Sequence, residues 1–285
     1  MHLPEIVALA VVPPASTRQL LLMVATPPIP ILVFSDLDGT LIDHASYDAS
    51  AAGPALDALR ACGGGLIMAS SKTGPEIARI RDTLGWADFP AIVENGAGLL
   101  PAGEAGQGDA AQYEALRGVL YKAPQSLREN FRGFGDMSVA EVSDVTGLAK
   151  DDAALAKQRA FSEPGLWTGD DPQLEQFLDY LAGQGVTARE GGRFLTLSFG
   201  QTKADRMADL IAQFNPVHTV ALGDAPNDVE MLQAADTGVI VANPHRAALP
   251  RLPGEETSRI MRTTLPGPQG WNAALLELLL ELKLR

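Results

Sequence analysis

The chain has 285 residues, of which 46% are hydrophobic, and it carries a formal net charge of −13. It is long enough for one large domain or two smaller ones, and the absence of any block rich in Lys or Arg argues against nucleic acid as a partner. The single cysteine, Cys62, excludes an intramolecular disulfide and indicates a cytoplasmic protein.

Residues 1–30 contain two apolar runs, at 6–12 and 20–23, on either side of Pro13-Pro14. Neither run is long enough to span a bilayer, and the first seven residues include a Glu but no Lys or Arg. We therefore expect neither a membrane span nor a signal peptide. The prediction is a poorly ordered extension, or a true start nearer Met23, with a targeting segment as the remaining alternative.

From residue 31 onward, apolar runs that favour buried strands alternate with stretches that favour helices. Strands are predicted over 31–35, 66–69 and 91–93, and helices over 51–62 and 75–84. Three glycines from Gly63 end the first helix, and Pro75 begins the second. This alternation predicts an α/β protein built on a parallel sheet.

The pattern changes after Pro101, where residues 102–110 form a Gly- and Ala-rich linker. Helices are then predicted over 125–132, 139–146, 151–159 and 173–184, followed by a hairpin of 186–189 and 193–197. Buried strands return at 219–222 and 238–241, with helices over 229–234 and 273–283. We predict a core of residues 31–107 and 198–285, into which residues 108–197 are inserted as a second domain.

Two aspartates, Asp36 and Asp38, follow the first predicted strand directly. Side chains two residues apart in an extended segment point the same way, and open parallel sheets bind ligands at the carboxyl ends of their strands. Close like charges are costly unless a cation joins them or one takes a proton. An Asx turn with a helix cap would explain one acid but not both. The pair predicts a site for a hard metal ion and for carboxylate chemistry.

Further polar residues also fall at strand ends or helix starts. Ser70 follows the second predicted strand, and Asp224, Asn227 and Asp228 follow the strand at 219–222. Taken singly, Ser70 is explained by a turn, Lys203 by an exposed surface, and the later acids by a helix cap. These explanations account for each residue separately, but they do not explain why all of these residues occur in one chain.

The order of these residues along the chain is an acid pair, a Ser, a Lys and a second acid pair. This order resembles that of the haloacid dehalogenase-like superfamily of aspartate-nucleophile phosphotransferases. The insertion between Ser70 and Lys203 looks like the C2-type cap of that superfamily. The resemblance implies a Rossmann-like, doubly wound parallel sheet with an inserted α+β cap domain.

Shorter motifs narrow the resemblance to mannosyl-3-phosphoglycerate phosphatases over residues 31–275. They are Ser70-Ser71-Lys72-Thr73, Glu94-Asn95-Gly96, Ala156-Lys157-Gln158-Arg159, Gly191-Gly192-Arg193-Phe194 and Pro266-Gly267-Pro268-Gln269-Gly270. This resemblance implies a Mg²⁺-dependent phosphatase that releases phosphate from mannosyl- or glucosyl-3-phosphoglycerate to make a compatible solute. Its partner would be a small phosphorylated sugar or glycosyl-phosphoglycerate, and it would be a monomer or homodimer.

The resemblance also implies a role for each core residue. Asp36 would be the nucleophile that forms an aspartyl-phosphate, and it would bind Mg²⁺ together with Asp224 and the backbone carbonyl of Asp38. The Asp38 side chain would act as general acid and then as general base.

The remaining core positions would support these groups. Ser70 and Lys203 would bind the phosphate, and Lys203 would also pair with Asp36, while Asn227 and Asp228 would orient Lys203 or the water ligands of the metal.

The cap would supply selectivity for the rest of the substrate. Arg193, on a turn with Gly191 and Gly192, is the predicted fork for a substrate carboxylate. Arg159 and Gln158 are the next candidates for the carboxylate and sugar hydroxyls, with a surface salt bridge as the alternative for each of these cap residues. The predicted substrate contacts are completed by Lys72 and Asn95.

Three alternatives remain open at the level of sequence. The first is a phosphatase with broader specificity for sugar phosphates or nucleotides. The second is a phosphomutase, and the third is a binding module that kept the fold without the chemistry.

Overall fold

The computed structural model describes residues 28–44, 46–106, 109–191 and 193–285. Predictions that fall on residues 1–27 and on Gly192 lie outside these ranges. The strands are β1 (Leu32–Ser35), β2 (Gly65–Met68), β3 (Ala91–Val93), β4 (Gly98–Leu100), β5 (Phe131–Gly133), β6 (Glu163–Trp167), β7 (Thr187–Gly191), β8 (Phe194–Ser198), β9 (Thr219–Gly223), β10 (Thr237–Ala242) and β11 (Ile260–Pro266). The helices are α1 (Gly53–Ala61), α2 (Gly74–Thr83), α3 (Ala111–Tyr121), α4 (Gln125–Arg128), α5 (Val139–Thr146), α6 (Lys150–Ala156), α7 (Asp171–Gly183), α8 (Lys203–Phe214), α9 (Val229–Ala234) and α10 (Gly267–Glu281).

The core contains a five-stranded sheet in the order β11-β10-β9-β1-β2, and all neighbouring strands are parallel. β1, β2 and β9 are buried along their whole length, which explains their uninterrupted apolar sequences. Helices α1 and α10 pack on one face, around Leu59 and Trp271, while α8 and α9 pack on the other, around Met207 and Leu232. The predicted α/β fold with a doubly wound parallel sheet is confirmed.

Strand register determines where the site lies. Ser35, the last residue of β1, is paired with Met68 of β2 and with Leu222 of β9. The residues that follow these three strands therefore emerge side by side at the carboxyl edge of the sheet.

A second sheet lies between β4 and α8 in the chain. It is antiparallel, in the order β5-β6-β8-β7. Helices α3 and α7 bury Leu116 and Phe177 against it, while α5 and α6 form a smaller cluster that contains Val142 and Phe134. We refer to this unit as the cap. No helix within the described ranges is long and apolar enough to cross a membrane.

The helix predicted over residues 125–132 is too long. Only α4 is helical, because Phe131 and Gly133 pair with Trp167 and Gly165 as β5 and β6. β6 itself escaped prediction, since it contains Pro164 and Gly165, which are unfavourable in strands. A Cβ at Gly165 would lie 2.5 Å from the Phe131 ring, so the close packing of the two strands requires glycine there.

Candidate active site

Three buried aspartates meet at the carboxyl ends of β1 and β9. Asp36 follows β1, whereas Asp224 and Asp228 follow β9, and ligand atoms from the three side chains lie within 4.8 Å of one another. The Asp36 N–H donates to the Leu222 carbonyl at 2.9 Å, which carries the pairing of the strands into the site. Such closely spaced buried acids require positive charge nearby.

Lys203 supplies one such charge from the first turn of α8. Its Nζ donates to Oδ1 of Asp36 and to Oδ1 of Asp228, both at 2.7 Å. Thr202 caps the helix, with its hydroxyl accepting from the Asp205 N–H at 3.2 Å. Burial opposes the charge on Lys203, but the two carboxylates outweigh it and raise the pKa of the ammonium, which therefore stays charged.

Asp228 shapes the loop after β9. Its Oδ2 accepts from the N–H groups of Asp224 and Ala225, at 3.1 and 3.0 Å. A Cβ at Gly223 would lie 2.5 Å from the Asp228 side chain, so glycine is required where β9 ends. Asp228 thus orients both the loop and Lys203.

Asp224 is held by three residues from other parts of the core. Its Oδ1 accepts from the Thr40 hydroxyl at 3.1 Å, and its Oδ2 accepts from Asn243 Nδ2 at 2.7 Å. Arg246 Nε lies 3.2 Å from the same Oδ2.

The environment of Asp36 disfavours its charged form. Burial raises its pKa from 3.8 to about 8, the neighbouring Asp228 and Asp224 charges add to the rise, and Lys203 opposes it. The pKa of Asp36 therefore makes the acid cluster sensitive to pH in the protein without metal.

We expect the free energy of unfolding of the metal-free protein to fall as pH rises from 3.8 to about 8. In this window the folded state keeps a proton on Asp36 that the unfolded state has released, so stability decreases with pH. Urea denaturation at several pH values, in the presence of a chelator, measures the slope. The same slope in Asp36→Asn would contradict the assignment to this carboxyl group.

The predicted residues after β2 and β3 lie at the same edge of the sheet. Ser70 is buried, and its hydroxyl accepts from the Lys72 N–H at 3.3 Å. Lys72 Nζ lies 3.0 Å from Asp38 Oδ2, and Asn95 Oδ1 accepts from Asn227 Nδ2 at 3.0 Å. Burial opposes the charge on Lys72, but Asp38 and Glu76 outweigh it and raise its pKa. Lys72 thus holds Asp38, the second of the two aspartates that follow β1.

A cavity of about 750 Å³ separates this edge from the cap. Its core wall includes Lys72, Asn95, Lys203, Asn227 and Arg246, and its cap wall includes Phe134, Arg159, Arg189, Gly191 and Phe194. The rings of Phe134 and Phe194 meet edge to face with centroids 5.2 Å apart, which gives the cap wall an apolar portion beside its cations.

Two predicted cap contacts do not line this cavity. Arg193 is exposed and donates to the Thr146 carbonyl at 3.1 Å, while the exposed Gln158, two residues beyond the end of α6, donates to the Ala154 carbonyl of that helix at 3.4 Å. Neither belongs to the residues that line the cavity, and the predicted Gly192 lies outside the described residues.

Sequence reasoning missed two cavity-lining cations, Arg189 and Arg246. Arg189 lies on β7 within the predicted hairpin, but Arg189, Glu190 and Gly191 all line the cavity, so the two-residue period of a strand does not single it out. Arg246 follows β10 in a loop without a motif, and nothing in the local sequence indicates it.

Arg159 and Glu94 form the joint between core and cap. Arg159 Nε lies 3.3 Å from Glu94 Oε2, and the guanidinium also donates to the Ser71 carbonyl at 3.3 Å. The Glu94 carboxylate accepts from the N–H groups of Ala160 and Ser162, at 2.8 and 2.7 Å. Arg159 therefore forms a salt bridge, but a buried one instead of the surface pair given as its alternative, and it also lines the cavity.

Glu94→Gln should destabilise the protein by about 1–3 kcal/mol, because a buried charge-assisted network loses its anion. Urea denaturation measures the effect. The matched control is Glu230→Gln, which removes the carboxylate facing Arg189 across a half-exposed core–cap pair at 3.8 Å. We expect that control to change stability by less than about 1 kcal/mol, so equal effects of the two variants would contradict the special role of Glu94.

Comparison with known proteins supports the superfamily resemblance. Residues 167–252 match the model of a haloacid dehalogenase-like hydrolase family, a segment that contains Lys203, Asp224 and Asp228. The narrower resemblance to mannosyl-3-phosphoglycerate phosphatases stays a prediction.

Several solved structures share the fold over both core and cap. Sucrose-phosphatase from Synechocystis, in complex with sucrose and phosphate, is 18% identical, with a TM-score of 0.57 over 90% of this chain and 98% of that one. A HAD-superfamily phosphatase from Bacteroides thetaiotaomicron is 15% identical, with a TM-score of 0.61 over 90% and 96%. A haloacid dehalogenase-like hydrolase from the same organism is 20% identical, with a TM-score of 0.62 over 87% and 98%.

Proposed function

We propose that this protein is a haloacid dehalogenase-like hydrolase, namely a Mg²⁺-dependent phosphatase that acts through an aspartyl-phosphate on Asp36. The observation that carries the proposal is the bridge from Lys203 to Asp36 and Asp228, inside a cluster of three buried acids beside a large cavity. Carboxylate attack on phosphorus divides hydrolysis into two easier steps. Lys203 holds the attacking group and faces the cavity from which a phosphate would approach.

The donor set fits Mg²⁺. The acid cluster offers hard oxygen ligands at a buried position, where three carboxylates exceed the charge of one lysine. Asp36, Asp224 and the backbone carbonyl of Asp38 would hold the ion. When bound, it would neutralise charge on the phosphoryl group being transferred.

The two aspartates that follow β1, Asp36 and Asp38, would have different tasks. The Asp36 carboxylate forms a bond to phosphorus as the bond from phosphorus to the substrate oxygen breaks, and Asp38 gives its proton to that oxygen. Asp38 then takes a proton from the water that attacks the aspartyl-phosphate, releasing phosphate and restoring Asp36. The contact with Lys72 at 3.0 Å orients Asp38 for both transfers.

Ser70 and Lys203 would bind the phosphate oxygens. Ser70 lies beside Asp36 and Asp38 because β1 and β2 are paired at Ser35 and Met68. Asn227 and Asn95 form a hydrogen bond of 3.0 Å with each other in the wall of the cavity. They would position the phosphate from the side opposite Ser70 and Lys203. Asp228, already bonded to Lys203 and to the loop, would act as a positioning residue.

We propose mannosyl- or glucosyl-3-phosphoglycerate as the substrate. A cavity of about 750 Å³ has room for far more than a phosphate group. Its lining contains Glu76, Glu94 and Glu190 as well as cations, of which the partly exposed Arg189 and Arg246 would face a second negative charge. The edge-to-face pair of Phe134 and Phe194 offers an apolar surface for a sugar ring. The likeness to a sucrose-phosphatase with bound sucrose and phosphate supports a sugar in a site of this fold.

Phosphate release from a substrate panel tests the function. The panel comprises mannosyl- and glucosyl-3-phosphoglycerate, free 3-phosphoglycerate and simple sugar phosphates, each with Mg²⁺ and with a chelator. We expect rapid, Mg²⁺-dependent release from the glycosylated compounds. Release from simple sugar phosphates alone would overturn the substrate, and release that ignores the chelator would overturn the metal. A flat profile across the panel would favour the broader phosphatase, and transfer to a sugar acceptor would favour a mutase.

A further inference from the structure

Arg246 lies between two cavities. It lines the central cavity below the cap, and it also lines a second cavity of about 410 Å³ near the ends of β10 and β11, which Asp224 lines as well. Its side chain is 39% exposed, and its Nε lies 3.2 Å from Asp224 Oδ2. The guanidinium thus contacts a proposed metal ligand while bordering the space proposed for substrate.

The charges around Asp224 suit a neighbouring cation that moves away from Asp224 when a metal ion binds there. Asp36, Asp224 and Asp228 together carry three negative charges when ionised, which Lys203 and Arg246 reduce by two. A divalent ion on Asp224 would make this balance positive whether or not Asp36 is ionised, and Arg246 would then meet a like charge. Lys203 is fully buried between two acids, whereas the partly exposed Arg246 has room to move.

We propose that Arg246 is a positioning residue that links cation binding to substrate binding. In the free protein it pairs with Asp224 and weakens Mg²⁺ binding. When Mg²⁺ takes Asp224, Arg246 turns into the central cavity and binds the second anionic group of the substrate. Its planar fork suits a carboxylate such as that of a phosphoglycerate. The substrate half of this inference rests on the proposed function.

Mg²⁺ titration of the substrate-free protein, followed by thermal unfolding, tests the first half. Arg246→Gln should bind Mg²⁺ roughly fivefold more tightly than the wild type, the size expected for losing a partly exposed ion pair. Arg246→Lys keeps the charge and should stay close to the wild type. The matched control is Arg251→Gln, which removes the same charge from an exposed position in the same loop.

Steady-state kinetics tests the second half. Arg246→Gln should raise KM for glycosyl-3-phosphoglycerate about tenfold, the cost of losing one charge-assisted contact, with a smaller change in kcat. KM for glucose 6-phosphate, which has no carboxylate, should stay within about twofold because Arg246 would contact only the second anion.

The possible failures are distinguishable. Unchanged Mg²⁺ affinity in Arg246→Gln, or equal tightening in Arg251→Gln, would overturn the role of Arg246 and leave the phosphatase intact. Tightening in Arg246→Lys would show that shape rather than charge matters, which also overturns it. An equal rise in KM for both substrates would overturn the assignment to the second anion. A wild type that binds no Mg²⁺ would overturn both this inference and the metal in the proposed function.

Discussion

Asp36→Asn should lower phosphate release by at least about 10³-fold, because an amide cannot replace the attacking carboxylate. The side chain is nearly isosteric, so the fold should survive. Activity with Mg²⁺ and the glycosylated substrates measures the loss. Acid quenching of the wild type during turnover of a phosphate-labelled substrate should leave label on the protein, and the variant should leave none.

The matched control for Asp36→Asn is Asp57→Asn, which removes a carboxylate from an exposed position on α1. We expect it to keep full activity. Retained activity in Asp36→Asn would overturn the assignment of the nucleophile. Loss of activity together with loss of the folded circular dichroism spectrum would instead show that Asp36 is needed for folding, and label trapping in the wild type would then decide.

Lys203→Met should destabilise the metal-free protein by about 3–5 kcal/mol, because it leaves the buried Asp228 carboxylate, and Asp36 where it is ionised, without their shared cation. Phosphatase activity should fall as well, since the phosphate would lose a cation. Urea denaturation in the presence of a chelator measures the stability. Adding Asp228→Asn should restore part of it, because one of the opposed acids is then neutral.

The control for the lysine is Lys122→Met, an exposed position at the end of α3, which should change stability by less than about 0.5 kcal/mol. Equal stability of Lys203→Met and wild type would contradict the charge argument. Failure of Asp228→Asn to recover any stability would show that packing rather than charge dominates at this position.

Much of the fold follows from local sequence pattern. Uninterrupted apolar runs predict β1, β2 and β9, because strands buried on both faces need apolar side chains at every position. The local apolar pattern does not predict β5 and β6. Their short segments contain Gly133, Pro164 and Gly165, and they become strands only because they pair with each other and, in the case of β6, with β8.

The cap side of the site shows where local pattern fails. The turn after β7 marks Arg193 as prominent, yet the docking of the cap places Arg189 at the cavity and leaves Arg193 exposed. Which face of a hairpin meets the core depends on how two sheets pack. That packing involves residues far apart in the chain, such as Glu94 and Arg159.

The sequence by itself determined which acids meet at the carboxyl edge of the sheet. Asp36, Asp38 and Asp224 follow strands whose carboxyl ends must lie together in a parallel sheet, so their proximity is a consequence of topology. Only the tertiary structure showed how the predicted Lys203 contacts those acids and which further cation lies beside them. Lys203 reaches them because α8 begins at the sheet edge, and Arg246 reaches Asp224 from a loop of no recognisable pattern. Side-chain charge acts through space, and a one-dimensional pattern carries no information about distances that only packing creates.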